Sequence, residues 1–204
     1  VMCGMGRTGT TFACEQDGIA PDIVTIAKGL GAGYQPIGAM LAVDKICDAI
    51  RDGSGFFQHG HTYLGHPIAC AAALAVQNKI GSHDLLQNVN AMGDELDRQL
   101  LDRFGNHSNV GDIRGRGLFR GIELVADRTT KETLDPALKT HAVIKKQAME
   151  QGLICYPSGG TADGKRGDHI LLAPPFIISA DQISELVDKL GKAIDISLSH
   201  IGLP

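Results

Sequence analysis

The stretch Ile23 to Gly33 constrains the chain most. An apolar, β-branched run (Ile23-Val24-Thr25-Ile26-Ala27) enters from Pro21-Asp22, delivers Lys28, and leaves through Gly29, Gly31 and Gly33. Such a run after a Pro-Asp turn predicts a buried strand. Its lysine then stands at the edge of a sheet, where open α/β folds keep their ligands. The glycines let backbone or a planar ligand come close, because no Cβ intervenes. A partly desolvated lysine gives up its proton more readily and becomes an amine nucleophile. By itself the stretch also describes an ordinary solvated lysine.

The rest of the chain predicts alternating strands and helices. Pro36 to Val43 is a continuous apolar run that suits a strand buried on both faces. Asp44 to Arg51 suits a short helix. Pro67 stands at a first helical position before Ile68 to Ile80, a helix apolar nearly all round and therefore expected to be buried. Leu85, Val89, Gly93, Leu96, Leu100 and Phe104 recur at helical steps and predict a long one-sided helix over 84–104. Strands follow at Val110 to Arg114 and Leu118 to Val125. Asp135-Pro136 opens a helix that runs to Gln151 and stops at Gly152. Leu153 to Tyr156 reads as a strand, Pro157 to Gly167 as a polar loop, and Ile170 to Ala173 as a strand. The capping box Ser179-Ala180-Asp181-Gln182 opens the last helix. The fold class is α/β with a smaller α+β tail domain.

Composition removes several function classes. The formal net charge of -4 and the lack of any basic run give no electrostatic footprint for nucleic acid. The longest apolar run, Ile68 to Val76, is too short to span a bilayer. Cys3, Cys14, Cys47, Cys70 and Cys155 show no framework spacing, which suits free thiols in a reducing, cytoplasmic compartment. The chain begins with Val1 and opens strand-like, as part of a longer polypeptide would. Gly4-Met5-Gly6-Arg7-Thr8-Gly9 matches GxGxxG, the alternative of a nucleotide-binding module. However, Thr10-Thr11-Phe12 is a poor helix opening and no acid follows at the required distance, so the segment reads as a glycine turn. His59, His61 and His66 lack the spacing and the completing acid or cysteine of a zinc site.

Seven segments in register then carry a resemblance. They are Gly4 to Gly9 with Pro21-Asp22-Ile23; Ala27-Lys28-Gly29-Leu30; Tyr34-Gln35-Pro36-Ile37-Gly38-Ala39; His61-Thr62-Tyr63-Leu64-Gly65-His66-Pro67; Arg114-Gly115-Arg116-Gly117-Leu118; Gly121-Ile122-Glu123-Leu124; and Leu172-Ala173-Pro174-Pro175. Over nearly its whole length the chain resembles the carboxy-terminal half of class III pyridoxal-phosphate aminotransferases of fold type I. The resemblance implies residues 1–80 as the carboxy-terminal part of the large cofactor-binding domain, 81–106 as a connecting helix and 107–204 as the small domain.

It also implies roles. Lys28 would hold pyridoxal 5′-phosphate as an internal aldimine and then serve as the general base between substrate Cα and cofactor C4′. Thr62, with His61 beside it, would reach across a homodimer interface to the phosphate in the partner subunit. Small-molecule amines and keto acids would be the substrates, with no metal, nucleic acid or membrane involved. The family's pyridinium-pairing aspartate lies two residues upstream of the position matching Val1, and Met2 stands where many members carry a glutamine near the cofactor 3′-oxygen. The phosphate cup and the ring-stacking aromatic fall in the other half, so this chain is not expected to form a complete site. Leu171 occupies the place of the arginine of ornithine- and GABA-type members. The pattern is closer to the ω-amino-acid:pyruvate type, with a mobile loop arginine, for which Arg166 is the candidate ahead of Lys165. Arg114 and Arg116 are expected to be structural. Aminomutases and dialkylglycine decarboxylases share these motifs and remain alternatives.

Overall fold

The computed structural model describes residues 2–203; Val1, the first residue of the expected strand-like opening, and Pro204 lie outside the described residues. The chain divides into two compact units, Val1–Gln87 and Asn88–Pro204.

The first unit is built on short elements. From Cys3 the backbone turns instead of extending, with Gly6 and Gly9 at φ of 99° and 96°. A single 3-10 turn, Ala13–Asp17, follows, not an α-helix. Strand β1 (Ile23–Ile26) pairs antiparallel with β2 (Ala39–Ala42), Ile23 opposite Ala42 and Ile26 opposite Ala39. Helix α1 covers Asp44–Asp52 and α2 covers Pro67–Ser82. The start of α2 follows from its sequence: Pro67 needs no amide partner in the first turn, and His66 Nδ1 accepts the Ala69 N–H.

The expected burial of these segments does not hold. Both strands form, but their residues are exposed or half-buried. Helix α2 buries only Ala69 and Ala73, and Ile68 and Leu74 each leave more than three fifths of their surface in solvent. An apolar run states that burial is favourable. It does not state that a covering layer is at hand, and no described residue of this unit supplies one.

The second unit encloses a continuous core. Helix α3 (Leu85–Phe104), which begins just before the unit does, presents Val89, Gly93, Leu96, Leu100 and Phe104 inward, the face set by the helical spacing. Strands β3 (Val110–Arg116), β4 (Phe119–Leu124), β5 (Tyr156–Gly159) and β6 (Asp168–Leu172) form an antiparallel sheet in the order β3-β4-β6-β5. Ile122, Leu124, Ile170 and Leu172 lie on its buried face with Ile144 of α4 (Thr140–Glu150) and Ile183, Leu190 and Ile194 of α5 (Ala180–His200). Ser179 accepts from the Gln182 amide while the Gln182 side chain returns to the Ser179 amide, so the capping box forms as expected.

In this unit two boundaries differ from the sequence expectation by three residues or more. The helix opened by Asp135 splits: Pro136–Leu138 is one 3-10 turn, Lys139 turns left-handed (φ 50°), and α4 begins only at Thr140. Asp135 caps that short turn by accepting the Ala137 N–H at 2.9 Å. The strand expected over 153–156 lies three residues later, because Leu153 donates its N–H back to Ala148 at 2.8 Å in closing α4.

Candidate active site

Lys28 sits at the first position of a 3-10 turn, Lys28–Leu30, directly after β1. Its backbone is left-handed (φ 48°), a region that L-residues occupy at a cost of about 1 kcal/mol and that surrounding structure must enforce. The enforcing contacts are visible. Leu30 N–H donates to Ala27 O at 3.0 Å, Gly31 N–H to Lys28 O at 3.2 Å, and Gln77 Nε2 of α2 to Leu30 O at 2.9 Å. A Cβ on Gly29 would lie 2.8 Å from Met5 Cβ, and one on Gly31 would lie 2.9 Å from Ile37 Cγ2. Glycine at 29 and 31 is therefore what lets the turn pack against the 4–9 loop and the segment before β2.

Of the six described non-glycine residues at positive φ, Met5, Lys28 and Ala32 cluster here. Met5, Gly6, Thr8 and Gly9 are buried beneath the turn. Burial also pulls the Arg7 guanidinium below its usual value. The 4–9 segment is thus a packed glycine turn, and no α-helix N-terminus follows it that could receive a phosphate. The Lys28 side chain is exposed, and among the described residues no ion pair or hydrogen bond engages its ammonium.

His61 and Thr62 occupy a second turn of the same unit. Leu64 N–H donates to His61 O at 3.0 Å and His66 N–H to Tyr63 O at 3.1 Å, which leaves Thr62 exposed at the crest. Neither the Thr62 hydroxyl nor its N–H has a hydrogen-bond partner among the described residues. The His61 ring lines an open cleft of about 640 Å³ together with Pro36, Ile37, Tyr63, His66 and Cys70. Among the described residues no group of three or more His, Cys, Asp or Glu side chains could hold a metal ion.

Arg166 belongs to the second unit. It lies in the 160–167 loop, which is closed by Ala162 N–H on Arg166 O at 2.9 Å and by Gly164 N–H on Gly160 O at 2.9 Å. Arg166 Nε donates to Asp163 Oδ2 at 2.8 Å. Arg114 bridges Asp112 and Glu123, each at 2.6 Å, as expected of a structural arginine.

Three contributors escaped the sequence reading. Gln77 and Met5 fix the Lys28 turn from distant parts of the first unit. Arg120 is the third: buried on the core side of β4, it donates to Asp97 Oδ1 (2.8 Å) and to the carbonyls of Gly93, Gly115 and Gly117 (3.0, 3.0 and 3.1 Å). The signal was present, since Arg120 shares strand parity with Ile122 and Leu124, and an arginine on an apolar strand face needs partners.

Pyridoxal 5′-phosphate carries an aldehyde and a phosphate, and each asks for its own kind of donor. An unpaired primary amine on an enforced turn suits covalent attachment to an aldehyde, and the free hydroxyl and N–H of Thr62 suit a phosphate oxygen. The residues present fit those two functions of the group.

Comparison with known proteins identifies the family. The family model described as aminotransferase class-III matches residues 1–194. The chain is 48% identical over 194 residues to an uncharacterized aminotransferase of Schizosaccharomyces pombe, covering 95% of this chain and 42% of that one. It is 35% identical over 197 residues to the chloroplastic gamma aminobutyrate transaminase 3 of Solanum lycopersicum, covering 95% of this chain and 36% of that one. Among solved structures it superposes on a transaminase from the marine bacterium Virgibacillus with a TM-score of 0.93 at 34% identity, over 99% of this chain and 45% of the other. An (S)-enantioselective omega-transaminase from Thermomicrobium roseum gives 0.88 at 35% identity, over 97% and 42%. The chain thus spans less than half the length of the relatives it matches. The α/β fold is that of fold-type-I transferases with class III architecture.

Proposed function

This chain belongs to the class III aminotransferase family, and on that premise we propose that its parent protein moves an amino group from an amine or ω-amino acid to a keto acid such as pyruvate. The observation that carries the proposal is Lys28, an unpaired exposed amine on a left-handed turn held by Met5, Ile37 and Gln77. Strain kept in place by several converging contacts is characteristic of a functional position.

Pyridoxal 5′-phosphate, the cofactor of this family, supplies when bound the electron sink that makes a substrate Cα proton removable. Lys28 provides the attaching amine. The same amine, when free, would act as the general base that holds and moves the substrate Cα proton. The turn fixes the backbone from which that nitrogen extends, so both tasks start from one anchored position. Thr62 offers its hydroxyl and N–H to the phosphate held in the partner subunit, with the His61 turn fixing the crest, so a homodimer would share its sites. Arg166 receives the substrate carboxylate. The segment 81–106, most of which is α3, would link the large-domain segment 1–80 to the small domain 107–204. All five cysteines are free, which supports a reducing, cytoplasmic setting; no described helix is long and apolar enough to cross a membrane.

The test is borohydride reduction of the full-length parent after incubation with pyridoxal 5′-phosphate, followed by peptide mapping. A pyridoxyl group confined to the Lys28 peptide is expected, and Lys28→Ala should abolish both that label and turnover. Turnover retained in Lys28→Ala would overturn the proposal.

A further inference from the structure

The 160–167 loop does more than carry an arginine. Asp163 Oδ1 accepts the N–H groups of Lys165 (2.9 Å) and Arg166 (2.7 Å), while Oδ2 accepts from Arg166 Nε (2.8 Å). These bonds, with the Arg166 backbone N–H first, hold the Asp163 carboxyl at about 2, so it stays ionised wherever the protein works. The guanidinium is therefore engaged along one edge only. Its two terminal nitrogens have no partner among the described residues, and Arg166 lines an open cleft of about 620 Å³ with Ala126, Glu132, Leu134, Asp135 and Pro136. The other cation there, Lys131, is already committed to Gly111 O at 2.5 Å. The base of the loop is pinned separately: Asp168, buried at the start of β6, accepts from the His141 backbone N–H at 3.1 Å and meets His141 Nδ1 at 2.5 Å.

We propose that Asp163 is a positioning residue that holds Arg166 by Nε and so presents the terminal edge of the guanidinium to a single carboxylate of the keto-acid substrate. The chemistry is specific to arginine. A guanidinium held at Nε still offers two parallel N–H donors, the spacing a carboxylate takes bidentately, whereas an ammonium has no second edge. Fixing the side chain beforehand removes rotamer entropy that binding would otherwise have to overcome. Asp163 and the cleft carboxylates Glu132 and Asp135 also repel an incoming carboxylate, an effect that water and salt screen at this open position. Orientation is the larger effect.

The inference rests on Arg166 being the carboxylate-binding residue, and the experiment separates the two claims. In the full-length parent, kcat and KM are measured for pyruvate and for butanal, an acceptor without a carboxylate. The variants are Arg166→Gln, Asp163→Asn and the double variant; asparagine keeps the oxygen that closes the loop but loses the acceptor for Nε. Arg166→Gln should raise KM for pyruvate about 30-fold and leave butanal unchanged. Asp163→Asn should raise KM for pyruvate about 5-fold, with kcat and the butanal parameters unchanged, and should add nothing in the Arg166→Gln background. If Arg166→Gln spares pyruvate, the carboxylate assignment falls and this inference with it. If Arg166→Gln behaves as expected while Asp163→Asn leaves or lowers KM, Arg166 stands and the positioning role of Asp163 is overturned. Equal losses for pyruvate and butanal in Asp163→Asn would reduce its role to loop structure and also overturn it.

Discussion

The two units use apolar residues in opposite ways. Of the buried apolar residues among those described, the first unit holds only Met5, Ala69 and Ala73, while all the others except Val125 form one cluster in the second. Tyr34, Phe56, Tyr63, Leu64, Ile68 and Leu74 of the first unit are all exposed by more than three fifths. Yet the first unit carries the enforced lysine turn. The second closes its own core and mounts its candidate residue on a loop. A few contacts between turns far apart in sequence can thus hold a left-handed lysine in place without an extended apolar core. A sheet that shields helices cannot be made that way.

This contrast can be broken experimentally. The largest expected effect is in the second unit: Phe104→Ala, at a site with no solvent exposure, should cost about 3–5 kcal/mol in urea unfolding. Ile68→Ala on α2 should change stability by less than about 0.5 kcal/mol in the same chain. Comparable losses from both would mean that α2 is as enclosed as α3. Next comes Arg120→Met, which leaves Asp97 and three carbonyls without their donor. A loss of about 2–3 kcal/mol is expected, and it should be confined to the unfolding transition of the second unit.

The smallest effect is a pH dependence. Burial pushes the Cys155 thiol up from about 9 to about 11. The folded chain therefore holds this proton more tightly than the unfolded one, so the contribution is complete below about pH 9 and is lost as pH rises toward 11. Cys155→Val should flatten the decline in stability over that window. Cys47 and Cys70, both exposed in the first unit, should be alkylated before Cys155. Equal alkylation rates would remove this difference between the units.

The same contrast explains what could be read in advance. Periodicity found α3 because Val89, Leu96, Leu100 and Phe104 face a core within their own unit, so the pattern and its partner lie in one stretch of chain. Ser179 and Gln182 were legible for a similar reason, since a cap is satisfied within four residues. Ile68 to Val76 was read correctly as helix and wrongly as buried, because a helix is a local property and its cover is not. Lys139 was missed because a left-handed lysine has no composition signal. Motif order brought Lys28, His61 and Thr62 forward, but the contacts that hold the Lys28 turn, from Met5 and Gln77, span gaps that spacing does not reveal. Arg166 stood out as a charge among glycines; its Asp163 partner did not, because an aspartate in a polar loop is ordinary until its geometry is known.

The 160–167 loop closes on itself through its own backbone bonds and is rooted in the buried Asp168. Protein engineers would call such a segment a cassette. Loops of the same length that keep the glycines at 160, 164 and 167 and an acid at 168 can be grafted onto the unchanged sheet, so this stretch can be varied without redesigning the core it is mounted on.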